Sequence, residues 1–243
     1  MLRINQQIAG HAAERIEAHW VSETAKSIHA AYSDYFHALG ATPDDLVPLC
    51  TNVLDYAAVF DIESRRDVYR VILAAVVLGP FFWQDPRMRG LAARTVENPD
   101  VHVTRRALDL LDGMEDWLAA YWQDDSTHVF GQRLCEAVGM GRGPDALRTV
   151  LPQQWRLFPE TDNQHFADAV LGTVSPGVLP SPPQRLAHLA LSCVLGFGWQ
   201  KDAQFTRFVE VLRGGSERAE LAGALRPLCA RVFAPPPAPA TDG

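Results

Sequence analysis

"VLGPFFWQDPRMRG", Val77–Gly90, is the stretch on which the reading of this chain turns. An apolar run enters it and stops at Gly79-Pro80, since proline disfavours helix at the residue before it. Phe81, Phe82 and Trp83 follow, placed to cover the open end of a core. Asp85 then offers a carboxylate to the free amides of a new helix, and Pro86 suits that helix's first turn. The spacing predicts a buried helix, a glycine stop, an aromatic plug and an Asp-capped restart.

The same order returns in "VLGFGWQKDAQF", Val194–Phe205. Aligning Gly79 with Gly196 also pairs Leu78 with Leu195 and Asp85 with Asp202. Here Phe197 and Trp199 form the plug. Two accounts fit: distant duplication of one half, or one helix-turn-helix solution reached twice. Self-similarity over a longer span would choose between them. A third Trp-Gln, in "YWQDDSTH" (Tyr121–His128), has no glycine before it and reads as coincidence, with Asp124, Asp125 and Ser126 competing to cap the next helix.

Outward from these stretches, nearly every segment has helical periodicity. Ile4, Ile8, Ala12, Ile16, Trp20, Ile28, Tyr32, Phe36 and Leu39 share one face of a long helix over 4–39, stopped by Gly40. Thr42, Pro43 and Asp45 are N-cap, N1 and N3 of the next helix. Ser64 and Asp67 form a second capping box, before a helix over 65–78 that is apolar on all sides from Val71 and so buried on all sides. Further helices are expected from Pro86 to Val96, from Asn98 to Trp122, from Ser126 to Val138, over 145–158 with a disturbance at Pro152, from Thr161 or Asp162 to Leu171, over 183–196, 203–213 and 216–233. Alternating strand-type runs are absent. The expected class is all-α: a multi-helix bundle whose two halves, 1–140 and 141–233, are related if the duplication holds. "GMGRGPD" is the seam between them and 234–243 a disordered tail.

Composition bounds the function. The 243 residues are 47% hydrophobic and 21% charged, with net charge −7. A nucleic-acid binder presents a basic face, so this balance argues against that partner and suits a basic protein one. The apolar runs Val71–Trp83 and Leu189–Trp199 are too short for a bilayer, and no secretion signal opens the chain, so a cytoplasmic protein with no membrane partner is expected. Cys50, Cys135, Cys193 and Cys229 lie far apart without a Cys-x-x-Cys pair, and read as small, reduced core residues. No zincin, P-loop or nucleophile-elbow pattern occurs, and Asp34-x-x-His37 is a single, incomplete echo of a di-iron pair. No catalytic residue, metal or cofactor is assigned.

Arginine and exposed aromatic residues are frequent hot spots at interfaces. Arg87, Met88 and Arg89, just past the first cap, are therefore the expected partner-binding residues, with Trp122 second. Gly79, Phe82, Trp83, Asp85, Pro86, Gly196, Trp199 and Asp202 are assigned to structure.

The segment Tyr56–Pro86, "YAAVFDIESRRDVYRVILAAVVLGPFFWQDP", resembles a family of small helical proteins encoded beside type VI secretion effectors in proteobacteria. Ile62, Ser64, Arg66, Asp67, Val68, Leu78, Gly79, Phe82, Asp85 and Pro86 match its pattern. Phe60-Asp61 stands where the family has Tyr-Gly, and Val71 near a usual tyrosine. The likeness covers about the first 95 residues. It implies a non-enzymatic accessory role: binding an effector or toxin as adaptor, chaperone or immunity protein. Two other expectations come from the residues themselves. The plugs Phe81, Phe82, Trp83, Phe197 and Trp199 could line one pocket for a small molecule or lipid. His11, His19 or His37 with nearby acids could serve a metal-dependent enzyme.

Overall fold

Ser64 opens the first central helix as its spacing predicts: its hydroxyl accepts the Asp67 amide at 3.1 Å. The computed structural model describes residues 2–122, 127–174, 177–215 and 217–233, with side chains from Glu14 onward except those of residues 127 and 128. All regular structure among these residues is helical. The helices are α1 (Leu2–Ala31), α2 (Ser33–Leu39), α3 (Pro43–Val59), α4 (Arg65–Leu78), α5 (Arg89–Arg94), α6 (Val103–Tyr121), α7 (Thr127–Gly139), α8 (Leu147–Val150), α9 (Pro152–Arg156), α10 (Glu160–Gly172), α11 (Pro182–Leu195), α12 (Thr206–Gly214) and α13 (Arg218–Val232). Ser126 and the tail 234–243 lie outside the described residues, as do Asp124 and Asp125.

Several boundaries differ from expectation for local reasons. The first long helix is two: Tyr32 leaves helical geometry (φ −119°, ψ 38°), and the break lets α2 turn Phe36 and Leu39 into the core. Gly40 caps α2 in the left-handed region, as expected. Helix α6 begins at Val103 rather than after Asn98. The Asn98 side chain accepts the Asp100 amide in a turn, and His102 takes the cap by accepting the Thr104 amide through Nδ1. After Asp85 comes a turn, and α5 starts only at Arg89.

The span between the two quoted stretches holds a longer likeness. Helices α3, α4 and α5 start at Pro43, Arg65 and Arg89; α10, α11 and α12 start at Glu160, Pro182 and Thr206, each 117 positions later. The same interval separates Ser64 from Ser181, Gly79 from Gly196 and Asp85 from Asp202. Short 3-10 turns at Phe82–Gln84 and Trp199–Lys201 keep it too. One unit therefore occurs twice with no insertion between the starts of its elements. Register also corrects the Trp-Gln echo: Trp199 is the counterpart of Phe82, not of Trp83. Both Phe82 and Trp199 are wholly buried, whereas Trp83 is half-buried and stacks on Tyr56 at 4.0 Å.

Each unit meets its own copy. A Cβ on Gly79 would lie 2.5 Å from the Gly196 Cα, and one on Gly196 would lie 2.3 Å from the Gly79 Cα. Phe81 likewise packs onto Gly198, its counterpart. Contact between equivalent positions is the mark of a local two-fold axis. The units also interlock. The turn after Asp202 packs on α2 and α3 of the first unit's side, while Arg87 packs on Phe158 and Phe166 before and within α10. The likeness ends at the last long helices: α6 lies on α4, but α13 lies chiefly on α7, with α12 and α2 beside it. Helix α7, expected with the first half, packs on α11 and α13 of the second. Residues from both halves share one continuous core, and all four cysteines are buried in the fold as free thiols.

Candidate functional site

The two Asp caps hold their neighbours by the same geometry with different chemistry. Asp85 Oδ1 accepts the Arg87 amide at 2.8 Å, and its carboxylate takes Arg87 Nε at 3.1 Å and Nη2 at 2.8 Å. Asp202 Oδ1 accepts the Gln204 amide at 3.1 Å, and Oδ2 takes Gln204 Nε2 at 2.7 Å. Arg87 and Gln204 are counterparts. The first cap is thus a buried ion pair, the second a buried carboxylate held only by neutral donors.

Arg87 and Met88, expected on the surface, are interior residues. The Arg87 side chain is 4% exposed. Its guanidinium carbon sits 3.5 Å from the centre of the Phe166 ring, and Nη1 reaches the Tyr121 hydroxyl at 3.5 Å. That hydroxyl donates to the Cys193 carbonyl of α11 at 2.8 Å, and Gln154 Nε2 donates to the Tyr121 carbonyl at 2.8 Å. Burial is the largest single influence and works against the Arg87 charge, but the Asp85 carboxylate, together with Cys193 and Tyr121 beside it, outweighs burial and the guanidinium stays protonated. Met88 is 2% exposed. The reason is the other unit: α10 covers the cap, which local sequence does not reveal. Arg89 is exposed.

Burial pushes the Asp202 carboxyl up to about 6, although the Gln204 hydrogen bonds work the other way. Charged groups are costly to desolvate without a counter-charge, and none pairs with Asp202 among the described residues.

Two concave regions lie near the junction. The first is an apolar groove of about 380 Å³ where the ends of α4 and α11 meet. Val76 and Val77 come from α4, Val194 and Leu195 from α11, with Tyr35 and Trp122 on the flanks. Trp122 is half-exposed there and Tyr32, beside it, is 45% exposed. Sequence reasoning singled out Trp122 but not the groove, because its walls come from the ends of five separate helices, α2, α4, α6, α11 and α13.

The second is a pocket of about 260 Å³ in the later unit, bounded by Thr173, Val174, His188, Trp199, Lys201 and Arg213 among others. His188 is 1% exposed and its Nε2 has no hydrogen-bond partner. Burial holds its imidazole down to about 4, against a hydrogen bond to the Val170 carbonyl that raises it. Gln200 Oε1 is a second buried acceptor without a partner; its Nε2 donates to Thr173 Oγ1 at 3.0 Å. The sequence carries one signal for this site: His188 and Ser192 are the only polar residues in the otherwise apolar run 186–195. Phe82 and Phe197 are core residues, while Trp199 bounds this pocket.

The histidines considered for a metal do not assemble. His29 Nε2 meets the Ala41 carbonyl at 3.0 Å with His37 edge-on to its ring. His19 borders a separate shallow surface pocket, and the His11 side chain lies outside the described residues. Among the described residues no three His, Cys, Asp or Glu side chains cluster as a metal site requires. No helix among them is long and apolar enough to cross a membrane. Comparison of the chain with protein-family models, curated proteins and solved structures found no match.

Proposed function

We propose that this chain is a non-enzymatic, protein-binding accessory protein of a type VI secretion effector cluster, acting as effector adaptor, chaperone or immunity protein. The observation that carries the reading is the junction groove. A concave apolar surface flanked by Tyr35 and Trp122 suits an amphipathic segment that lays two or three apolar side chains across it. Aromatic residues at such a centre are the usual energetic anchors of an interface. The resemblance over Tyr56–Pro86 supports the choice of partner, and that segment supplies Val76 and Val77 to the groove.

Co-purification with the effector encoded beside the gene tests it. Trp122→Glu is expected to weaken capture by about tenfold or more, with an unchanged melting profile. Arg89→Glu, exposed but outside the groove lining, is expected to change it by less than about twofold. Failure of the wild-type chain to capture any product of its cluster, or capture indifferent to Trp122→Glu, would overturn the reading. Deletion of the gene separates the roles: self-poisoning marks immunity, and lost delivery without it marks an adaptor or chaperone.

A further inference from the structure

We infer that the His188 pocket is a binding site for a small carboxylic acid with an apolar, planar body and a single N–H or O–H donor at its far end. Three features select that chemistry. The walls are apolar, with Val174, Val178, Leu179 and Leu212 around the Trp199 edge. Two buried polar atoms of the lining residues have no hydrogen-bond partner, His188 Nε2 and the acceptor Gln200 Oε1. A buried acceptor left unpaired costs free energy that a ligand donor recovers, so an N–H or O–H is favoured there over a purely apolar molecule. At the edge stand Lys201 and Arg213; among the described residues neither is in an ion pair and no Asp or Glu borders the pocket. The two cations face an anion.

The site is a property of the second unit alone. The counterparts of His188, Gln200 and Lys201 in the first unit are Val71, Trp83 and Gln84, which carry neither the two unpartnered polar atoms nor the cation. Val71 is fully buried and Trp83 lies on Tyr56. The later copy carries a polar-tipped pocket. The pocket shares no residue with the junction groove, so this site and the protein-binding reading stand or fall separately.

At about 260 Å³ the pocket is smaller than the roughly 300–1,000 Å³ of drug-sized sites, which suits a bicyclic acid such as indole-3-acetate. Titration calorimetry of the full chain with indole-3-acetate at neutral pH is the test. Saturable one-to-one binding is expected. Its N-methyl analogue, which has no donor, is expected to bind at least about tenfold more weakly, as is the acid to Arg213→Glu. His188→Phe removes the unpartnered ring nitrogen and is expected to weaken the preference for the N–H ligand; its melting profile verifies folding. The analogue and the exposed Arg213 variant decide the matter even if His188→Phe does not fold. Absence of saturable binding by the wild-type chain, or equal affinity for the acid and its N-methyl analogue, would overturn the assignment.

Discussion

Asp85→Asn is expected to destabilise the fold by about 3 kcal/mol or more, because it leaves the buried Arg87 guanidinium without its counter-charge. Asparagine preserves the cap, since its Oδ1 still accepts the Arg87 amide. The loss is therefore electrostatic rather than a lost helix start. Against a typical domain stability of about 5–15 kcal/mol, this is a large fraction. Urea unfolding at neutral pH measures it, and a cost below about 1 kcal/mol would refute the account. Adding Arg87→Gln should recover most of the loss, because it turns the first cap into a neutral pair like the second.

The counterpart substitution should do the opposite. Asp202 has no cation beside it, and its carboxyl titrates at about 6. An acid whose folded value lies above its unfolded value of about 3.9 costs nothing below that value. Stability then falls as pH rises from about 4 to about 6, and the full penalty stands above that. Asp202→Asn removes the ionisation, and turning over the Gln204 side chain brings its Oε1, which has no hydrogen-bond partner, to accept from the new amide nitrogen. The variant should be more stable than wild type by about 1–2 kcal/mol at pH 7, with the gain vanishing near pH 4. Thermal melts across that range read the sign directly. Two carboxylates at one position of one motif thus give opposite outcomes.

Gly196→Ala is expected to prevent the fold from forming. The residue stands at φ +92°, where a side chain is strained, and the added Cβ would lie 2.3 Å from the Gly79 Cα and 2.5 Å from the Leu78 carbonyl oxygen. Those atoms are backbone and cannot swing aside. Relief requires parting α4 from α11, which opens the core where the units meet. The cost should exceed about 4 kcal/mol, seen as insoluble or unfolded protein. Gly223→Ala is the comparison: nothing lies within 4 Å of its added Cβ, in the interior of α13. Alanine is the better helix former by about 0.5–1 kcal/mol, so that variant should melt at or above wild type. A folded Gly196→Ala protein with an unchanged melting point would contradict the back-to-back packing.

The local grammar of the chain was legible. Ser64, Thr42 and Gly40 mark helix ends as they stand, because caps and left-handed stops involve groups within about four residues of each other. The glycine-to-aspartate order of the two stretches was legible for the same reason. The Trp-Gln echo misled: composition repeats there, but register puts Trp199 over Phe82. Arg87 misled as well. An arginine after an Asp-Pro cap reads as solvent-facing until Phe166 and Tyr121, distant in sequence, are laid over it. The groove and the His188 pocket could not be read, since each is a space between elements rather than a property of one.

By itself, then, the sequence determined an all-α chain, the starts and stops of its central helices and a motif written twice. Those features are set by backbone hydrogen bonds and side-chain caps that close within a turn. Only the tertiary structure decided that the two copies meet glycine to glycine, that one cap became a buried ion pair, and that the later copy kept a pocket beside His188. Burial and pairing depend on what the rest of the chain brings to the far side of each residue, and no local window contains that information.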